Sequence, residues 1–187
     1  MKRIILASAS PRRKELLEQI GLTFEVTVSN VPEVITKSEP SEVVEELSAQ
    51  KAKAAAQAQM KEGAAIVIGA DTIVCQDGKI MGKPKDKEDA AKMLKRLAGN
   101  THSVFTGVTV IEEGVTVRTF SCETKVRVYP MTEQEIWDYI ETGEPMDKAG
   151  AYGIQGRFAA WIEGIEGDYN NVVGLPVSAL WQVLKAL

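Results

Sequence analysis

Two cysteines and one histidine are all the thiolate and imidazole ligands this sequence offers. Cys75 and Cys122 stand far apart in apolar, strand-like surroundings. Both read as small buried hydrophobes of a reducing compartment, and a disulfide framework is not expected. A structural zinc site needs four such ligands and cannot be assembled. A Ser-His-Asp or Cys-His system would have to use His102, and nothing around that residue supports one. A strand-edge or surface histidine is the expectation. Any metal must then be held by carboxylates, which favours Mg²⁺ or Mn²⁺. Long apolar runs are missing too: none approaches the roughly 20 residues of a membrane span. The run Ile4 to Ala7 is too short for a signal-peptide core and reads as a first strand. A cytoplasmic protein with no membrane partner is expected. There is no basic excess either. Lys and Arg number 22 against 26 Asp and Glu, which leaves a formal charge of −4 and a pI near 5.2. That argues against nucleic acid as the main ligand. An anionic small molecule would need a local cluster of cations.

What remains is an ordinary globular chain. It has 187 residues, 44% apolar and 26% charged, which suffices for a core without cross-links. Alternating periodic segments give the expected elements. Arg3 to Ala7 is a buried strand, broken by Ser8-Ala9-Ser10-Pro11. Ser10 is the expected N-cap and Pro11 the first residue of a helix running from Arg12 to Ile20. Phe24 to Val28 is a second strand, and Val31 to Glu39 a polar loop containing Glu33. Pro40 to Lys61 is an alanine-rich helix stopped near Gly63. Ala65 to Cys75 is the strongest buried strand, with Asp71 as its only charge. Asp77-Gly78 is a hairpin turn leading to a short strand ending at Met81. Asp86 caps a helix to Ala98. Val104 to Ile111 and Val115 to Val128 form a hairpin across Glu112-Glu113-Gly114. Thr132 and Glu135 form a capping box for a helix to Glu141. Gly143 to Gly156 is irregular, Phe158 to Ile165 a strand, and Pro176 opens a last helix to Leu187. The pattern predicts a single α/β domain over residues 1–187 with a mixed β-sheet flanked by helices. A second lobe built on residues 86–142 is compatible with it and not decided by it.

Two constellations carry chemistry. Ser8-Ala9-Ser10-Pro11-Arg12-Arg13 ends a strand, supplies two hydroxyls and starts a helix with adjacent arginines. Positive charge there opposes the helix dipole. An external anion would reconcile the two, because free N–H groups, hydroxyls and guanidinium forks together make a phosphate cradle. The second is Asp71. A lone carboxylate in an apolar strand is costly without a partner or a task, and Gly69-Ala70 leaves room for close approach. Its functional readings are ion ligand and general base. Glu33, Lys51, Lys53, Lys83 and Lys148 are scattered charges near loops. Gly150-Ala151-Tyr152-Gly153-Ile154-Gln155-Gly156 is dense enough in glycine to let backbone approach a ligand, with Gln155 as its polar reader.

These residues resemble the Maf family, of the nucleoside triphosphate pyrophosphatase type. Ser8 to Arg13 match its opening signature and Gly69-Ala70-Asp71-Thr72 its central motif. Lys83-Pro84, Asp147 to Gly156 and Asn171-Val172-Val173-Gly174-Leu175-Pro176 match later ones in order. The resemblance implies a fold like that of the inosine triphosphate pyrophosphatases, with a cleft between two lobes. It implies hydrolysis of a nucleoside triphosphate to monophosphate and pyrophosphate with a divalent cation. Asp71 falls on the proton acceptor, with Lys83 and Arg13 as further catalytic positions. Ser8, Ser10, Arg12, Arg13 and Lys51 are the implied phosphate ligands, and Glu33 with Asp71 the implied Mg²⁺ or Mn²⁺ ligands. Lys53 competes with Lys51 for its place.

Arg12, Thr72 and Gln155 match the branch associated with dTTP and UTP. A sister branch associated with 7-methyl-GTP tends to have tryptophan, glutamine and glutamate there. The chemistry agrees: uracil and thymine present an N3–H donor beside a carbonyl acceptor, and an amide matches both. A flipped amide also matches cytosine, so CTP and modified pyrimidine nucleotides stay on the list of substrates. A second copy of the chain is an optional partner. The alternative reading is a nucleotide-binding regulator of cell division or septum formation with little turnover.

Overall fold

A computed structural model describes residues 2–28, 31–59 and 64–187. Among them, seven strands form one mixed sheet. They are β1 (Arg3–Leu6), β2 (Glu25–Val26), β3 (Ala65–Gln76), β4 (Lys79–Met81), β5 (Thr101–Glu112), β6 (Val115–Val128) and β7 (Ile162–Glu166). The order is β2-β1-β3-β5-β6-β7, with β4 paired to β3. β1 lies parallel to β2 and β3, while β4 and β7 are antiparallel to β3 and β6. The helices are α1 (Pro11–Gln19), α2 (Pro40–Gln59), α3 (Lys87–Leu97), α4 (Glu133–Ile140), α5 (Tyr169–Val173) and α6 (Val177–Lys185). This is the expected α/β architecture. The expected stop of the second helix near Gly63 lies outside the described residues.

The chain divides into two compact units: residues 1–71, 106–122 and 174–187, and residues 72–105 and 123–173. The second is therefore larger than the 86–142 segment the sequence suggested.

The first unit is built on α2 and the strands beneath it. Ala52 and Ala55 are fully buried against Ile5, Ala7, Val67 and Ile111. Small side chains on that helix face let it sit close. At two glycines nothing larger would fit. A Cβ on Gly69 would lie 2.4 Å from the Ser48 carbonyl oxygen, and one on Gly107 would lie 2.2 Å from that of Val44. The helix backbone thus touches β3 and β5 directly.

The second unit is ordered by caps and aromatic packing. Asp86 accepts from the Asp89 N–H at 2.7 Å, and Thr132 and Glu135 form the reciprocal capping box, both as expected. Phe158 to Trp161, expected as the start of a strand, belong to the 3₁₀ helix Arg157–Trp161, and the strand starts only at Ile162. The reason is packing. Three residues per turn put Phe158 and Trp161 on one side, where a strand would send them to opposite faces. Phe158 is fully buried, with its ring centroid 4.6 Å from that of Tyr152 and 5.3 Å from that of Tyr139. The irregular stretch after Gly143 holds two further 3₁₀ turns, Glu144–Asp147 and Ala149–Ala151.

His102 is a correction to the expected surface or edge position. It is 2% exposed, because the alternation of β5 turns Thr101 outward and His102 inward. Its Nε2 pairs with the Tyr152 hydroxyl at 2.7 Å, and Nδ1 has no partner among the described residues. Burial lowers its pKa to about 4 and raises that of Tyr152, so both stay neutral near pH 7. On acidification the unfolded chain takes this proton through about pH 6.5, while the folded one refuses it until about pH 4. The folded state should therefore lose about 3 kcal/mol between those limits. Urea unfolding at pH 7.5 and pH 4.5 measures the loss. His102→Gln, which cannot titrate, should lose correspondingly less over the same interval; an equal loss would clear the histidine of any part in it.

Candidate active site

In the first unit, β1 ends at Leu6 and the chain turns through buried Ser8 into α1. The Ser8 Oγ accepts from the Ser10 N–H at 3.3 Å and from Arg13 Nη1 at 3.1 Å. Arg13 Nε donates to the Gly174 carbonyl at 2.8 Å. The fork is thus held on one side by Ser8 and on the other by the late motif. Burial pulls the Arg13 guanidinium below its ordinary pKa; the Asp71 charge opposes this and Arg12 adds to it. That is an electrostatic link between the opening and central motifs. Ser10 occupies the N-cap position, but its hydroxyl makes no cap bond. Its carbonyl accepts from the Lys14 N–H at 3.3 Å, so Ser10 is the N-cap, as expected, through its backbone.

Asp71 closes the first unit's share of β3, its side chain 13% exposed. It accepts a hydrogen bond from Lys51 of α2. The same ammonium lies 2.9 Å from Glu33 Oε1. Lys51 stands on the turn of α2, between Ser48 and Ala52, whose backbone presses on Gly69. The close approach that Gly69 permits is therefore made by the protein's own helix, and it delivers a cation to the carboxylate two residues further along. Lys53 is exposed, whereas Lys51 is the lysine that meets Asp71 and Glu33. Two carboxylates converging on one positively charged atom fit a cation shared with substrate phosphates, since Mg²⁺ commonly takes one or two protein carboxylates. A cage made by the protein alone is not available: no group of three His, Cys, Asp or Glu suited to a metal occurs among the described residues.

The second unit holds the other expected positions. Thr72 is half-buried in β3. Lys83 is exposed just after β4, and the carbonyl of the preceding Gly82 accepts from the Gly150 N–H at 3.0 Å. Gln155 is exposed in the glycine-rich loop. Lys148 is engaged structurally, donating to the Glu144 carbonyl and to Asp147 Oδ1, each at 2.7 Å.

Two residues of the late motif have tasks that their residue types do not announce. One is Gly174, whose carbonyl is an arginine anchor, a task that a backbone atom cannot advertise. The other is Asn171, fully buried, whose Nδ2 donates to the Val104 carbonyl and to Thr124 Oγ1, each at 3.0 Å. The late motif thus has a structural task at both residues.

Comparison with known proteins agrees with the motifs. The family model described as Maf-like protein matches residues 3–187. The dTTP/UTP pyrophosphatase of Agathobacter rectalis is 54% identical, covering 100% of this chain and 98% of its own. That of Lachnoclostridium phytofermentans is 51% identical over 99% and 95%. In fold, the solved Staphylococcus aureus Ham1 protein is similar, with a TM-score of 0.54 at 15% identity and 99% of each chain covered.

Proposed function

The chain belongs to the Maf-like protein family, and from that premise we propose that it hydrolyses dTTP and UTP to the monophosphate and pyrophosphate. CTP and modified pyrimidine nucleotides are further substrates on the same chemistry. Residues 1–187 act as one catalytic domain in the cytoplasm, and a homodimer is compatible with the activity. The observation that carries the reading is the grouping in the first unit. A largely buried carboxylate, Asp71, is paired with Lys51, and its charge acts on a guanidinium clamped to Ser8 and Gly174.

Asp71 takes the proton of the water that attacks the α-phosphorus. Arg13, Arg12 and Lys51 stabilise charge on the departing pyrophosphate, and Lys83 adds a further cation. Ser8 and Ser10 bind phosphate oxygens. Glu33 and Asp71 would hold Mg²⁺ or Mn²⁺ alongside the substrate. When bound, the cation supplies Lewis-acid neutralisation of phosphate charge. Gln155 reads the pyrimidine edge with one donor and one acceptor, and Arg12 and Thr72 add to the choice of base.

The test is product identity. With Mg²⁺ or Mn²⁺, purified protein should release pyrophosphate and monophosphate from dTTP and UTP. Orthophosphate with UDP would place attack at the γ-phosphorus and refute the mechanism. Tight binding without turnover would favour the regulatory alternative.

A further inference from the structure

The Gln155 loop is fastened at both ends to one pair of side chains. The Gly153 N–H donates to the Tyr139 hydroxyl at 3.3 Å, and that hydroxyl donates to Glu144 Oε1 at 3.2 Å. The other oxygen of the same carboxylate, Oε2, accepts from the Arg157 N–H at 3.2 Å. Gln155 is the middle residue of the span 153–157. Burial raises the Tyr139 pKa, so the phenol keeps the proton it donates. The glycines of the loop serve this fastening. A Cβ on Gly156 would lie 1.7 Å from Glu144 Oε1, and one on Gly153 would lie 2.7 Å from Lys148 Cε. Lys148 in turn donates to the Glu144 carbonyl at 2.7 Å. The glycine density that suggests room for a ligand is used by the protein's own Glu144 and Lys148.

We propose that Glu144, through Tyr139 and the Arg157 amide, is a positioning residue that fixes the loop backbone so that the exposed Gln155 meets the base in one orientation. This rests on the reading of Gln155 as the base reader. The carboxylate suits the task because it offers an acceptor oxygen to each end of the span. An amide at the same place offers one acceptor only. Glu144→Gln keeps the volume of the side chain but can accept from only one of the Tyr139 hydroxyl and the Arg157 N–H, which loosens the fastening at one end.

The experiment measures kcat and KM for UTP and GTP, and amide exchange at Gly153 and Arg157, in five proteins: the parent, Glu144→Gln, Tyr139→Phe, Gln155→Ala and the Glu144→Gln/Gln155→Ala double variant. Glu144→Gln should speed exchange at Gly153 or Arg157, whichever end its single carbonyl oxygen leaves. It should reduce the UTP-over-GTP ratio of kcat/KM about tenfold, the size expected for one hydrogen bond to a charged group. The change should lie in KM for UTP, with kcat moving less than about threefold. Tyr139→Phe, which removes only the hydroxyl, should reproduce the direction even where Glu144→Gln folds poorly. In the Gln155→Ala background, Glu144→Gln should no longer alter the ratio. Unchanged exchange at both Gly153 and Arg157 would overturn the fastening. An unchanged ratio in Glu144→Gln, or a change that persists without Gln155, would overturn its role in base choice. An unchanged ratio in Gln155→Ala alone would instead overturn the base reading on which the proposal rests.

Discussion

Asp71→Asn is expected to lower kcat for dTTP and UTP by at least about 100-fold, the size of a lost general base, with KM changed far less. Asparagine keeps the volume of the aspartate and loses its charge and its capacity to take a proton. The fold should survive. The side chain is only 13% exposed, but a neutral amide costs less to bury than a carboxylate, and its oxygen can still accept from Lys51. The Lys51 ammonium keeps Glu33 at 2.9 Å as its remaining charged partner. A melting temperature within about 5 °C of the parent is expected, since about 1 kcal/mol moves a chain of this size by 2–4 °C. Arg13 loses the charge that counters its desolvation, but its hydrogen bonds to Ser8 and Gly174 do not depend on Asp71. A well-folded variant with near-parental kcat would remove Asp71 from the chemistry. A variant that lost affinity but kept kcat would make it a binding group only.

The parts of the site visible in the sequence are those whose chemistry conflicts with their local setting. Asp71 stands out because an apolar strand has no reason to carry a carboxylate. Arg12 and Arg13 stand out because a helix start favours the opposite sign. Hairpin turns and caps are legible for a similar local reason: Asp77-Gly78 and Glu113-Gly114 both have positive φ at each turn residue, as tight hairpins require. What stayed hidden depends on partners distant in the chain. Lys51 and Lys53 look equivalent until α2 is pressed on Gly69, after which only Lys51 faces Asp71. His102 gives no sign that Tyr152, fifty residues later, will cover it. Phe158 and its neighbours read as a strand because their apolarity is clear, whereas the aromatic pocket that bends them into a 3₁₀ turn is assembled from α4 and the glycine-rich loop. Glu144 looks like any loop glutamate, because two of its acceptor contacts are to a tyrosine hydroxyl and a backbone amide.

The largest structural effect is expected where α2 meets the sheet. Gly69→Val and Gly107→Val should each cost about 4 kcal/mol or more, a fall in melting temperature of about 10 °C or more, or leave no folded protein. At Gly107 the nearest atoms to a new Cβ are the Val44 carbonyl oxygen at 2.2 Å and its carbon at 2.3 Å. At Gly69 they are the Ser48 oxygen at 2.4 Å and the Ala52 nitrogen at 2.7 Å. All four are backbone atoms of one helix, so no side-chain rotation relieves the clash and the helix itself must lift. Lifting it exposes Ala52 and Ala55 and separates them from Ile5, Val67 and Ile111. Gly82→Ala is the control, because nothing lies within 4 Å of a Cβ there and its φ is unexceptional; its melting temperature should match the parent. The milder Gly69→Ala adds a functional readout. If it folds, the displaced turn carries Lys51 away from Asp71, so kcat/KM for UTP should fall further than in a Gly107→Ala variant of equal stability. Thermal melts of the two valine variants decide the packing argument. Parental melting temperatures in both would mean that α2 does not bear on the strands at these glycines, and that the pairing of Lys51 with Asp71 is set by something else.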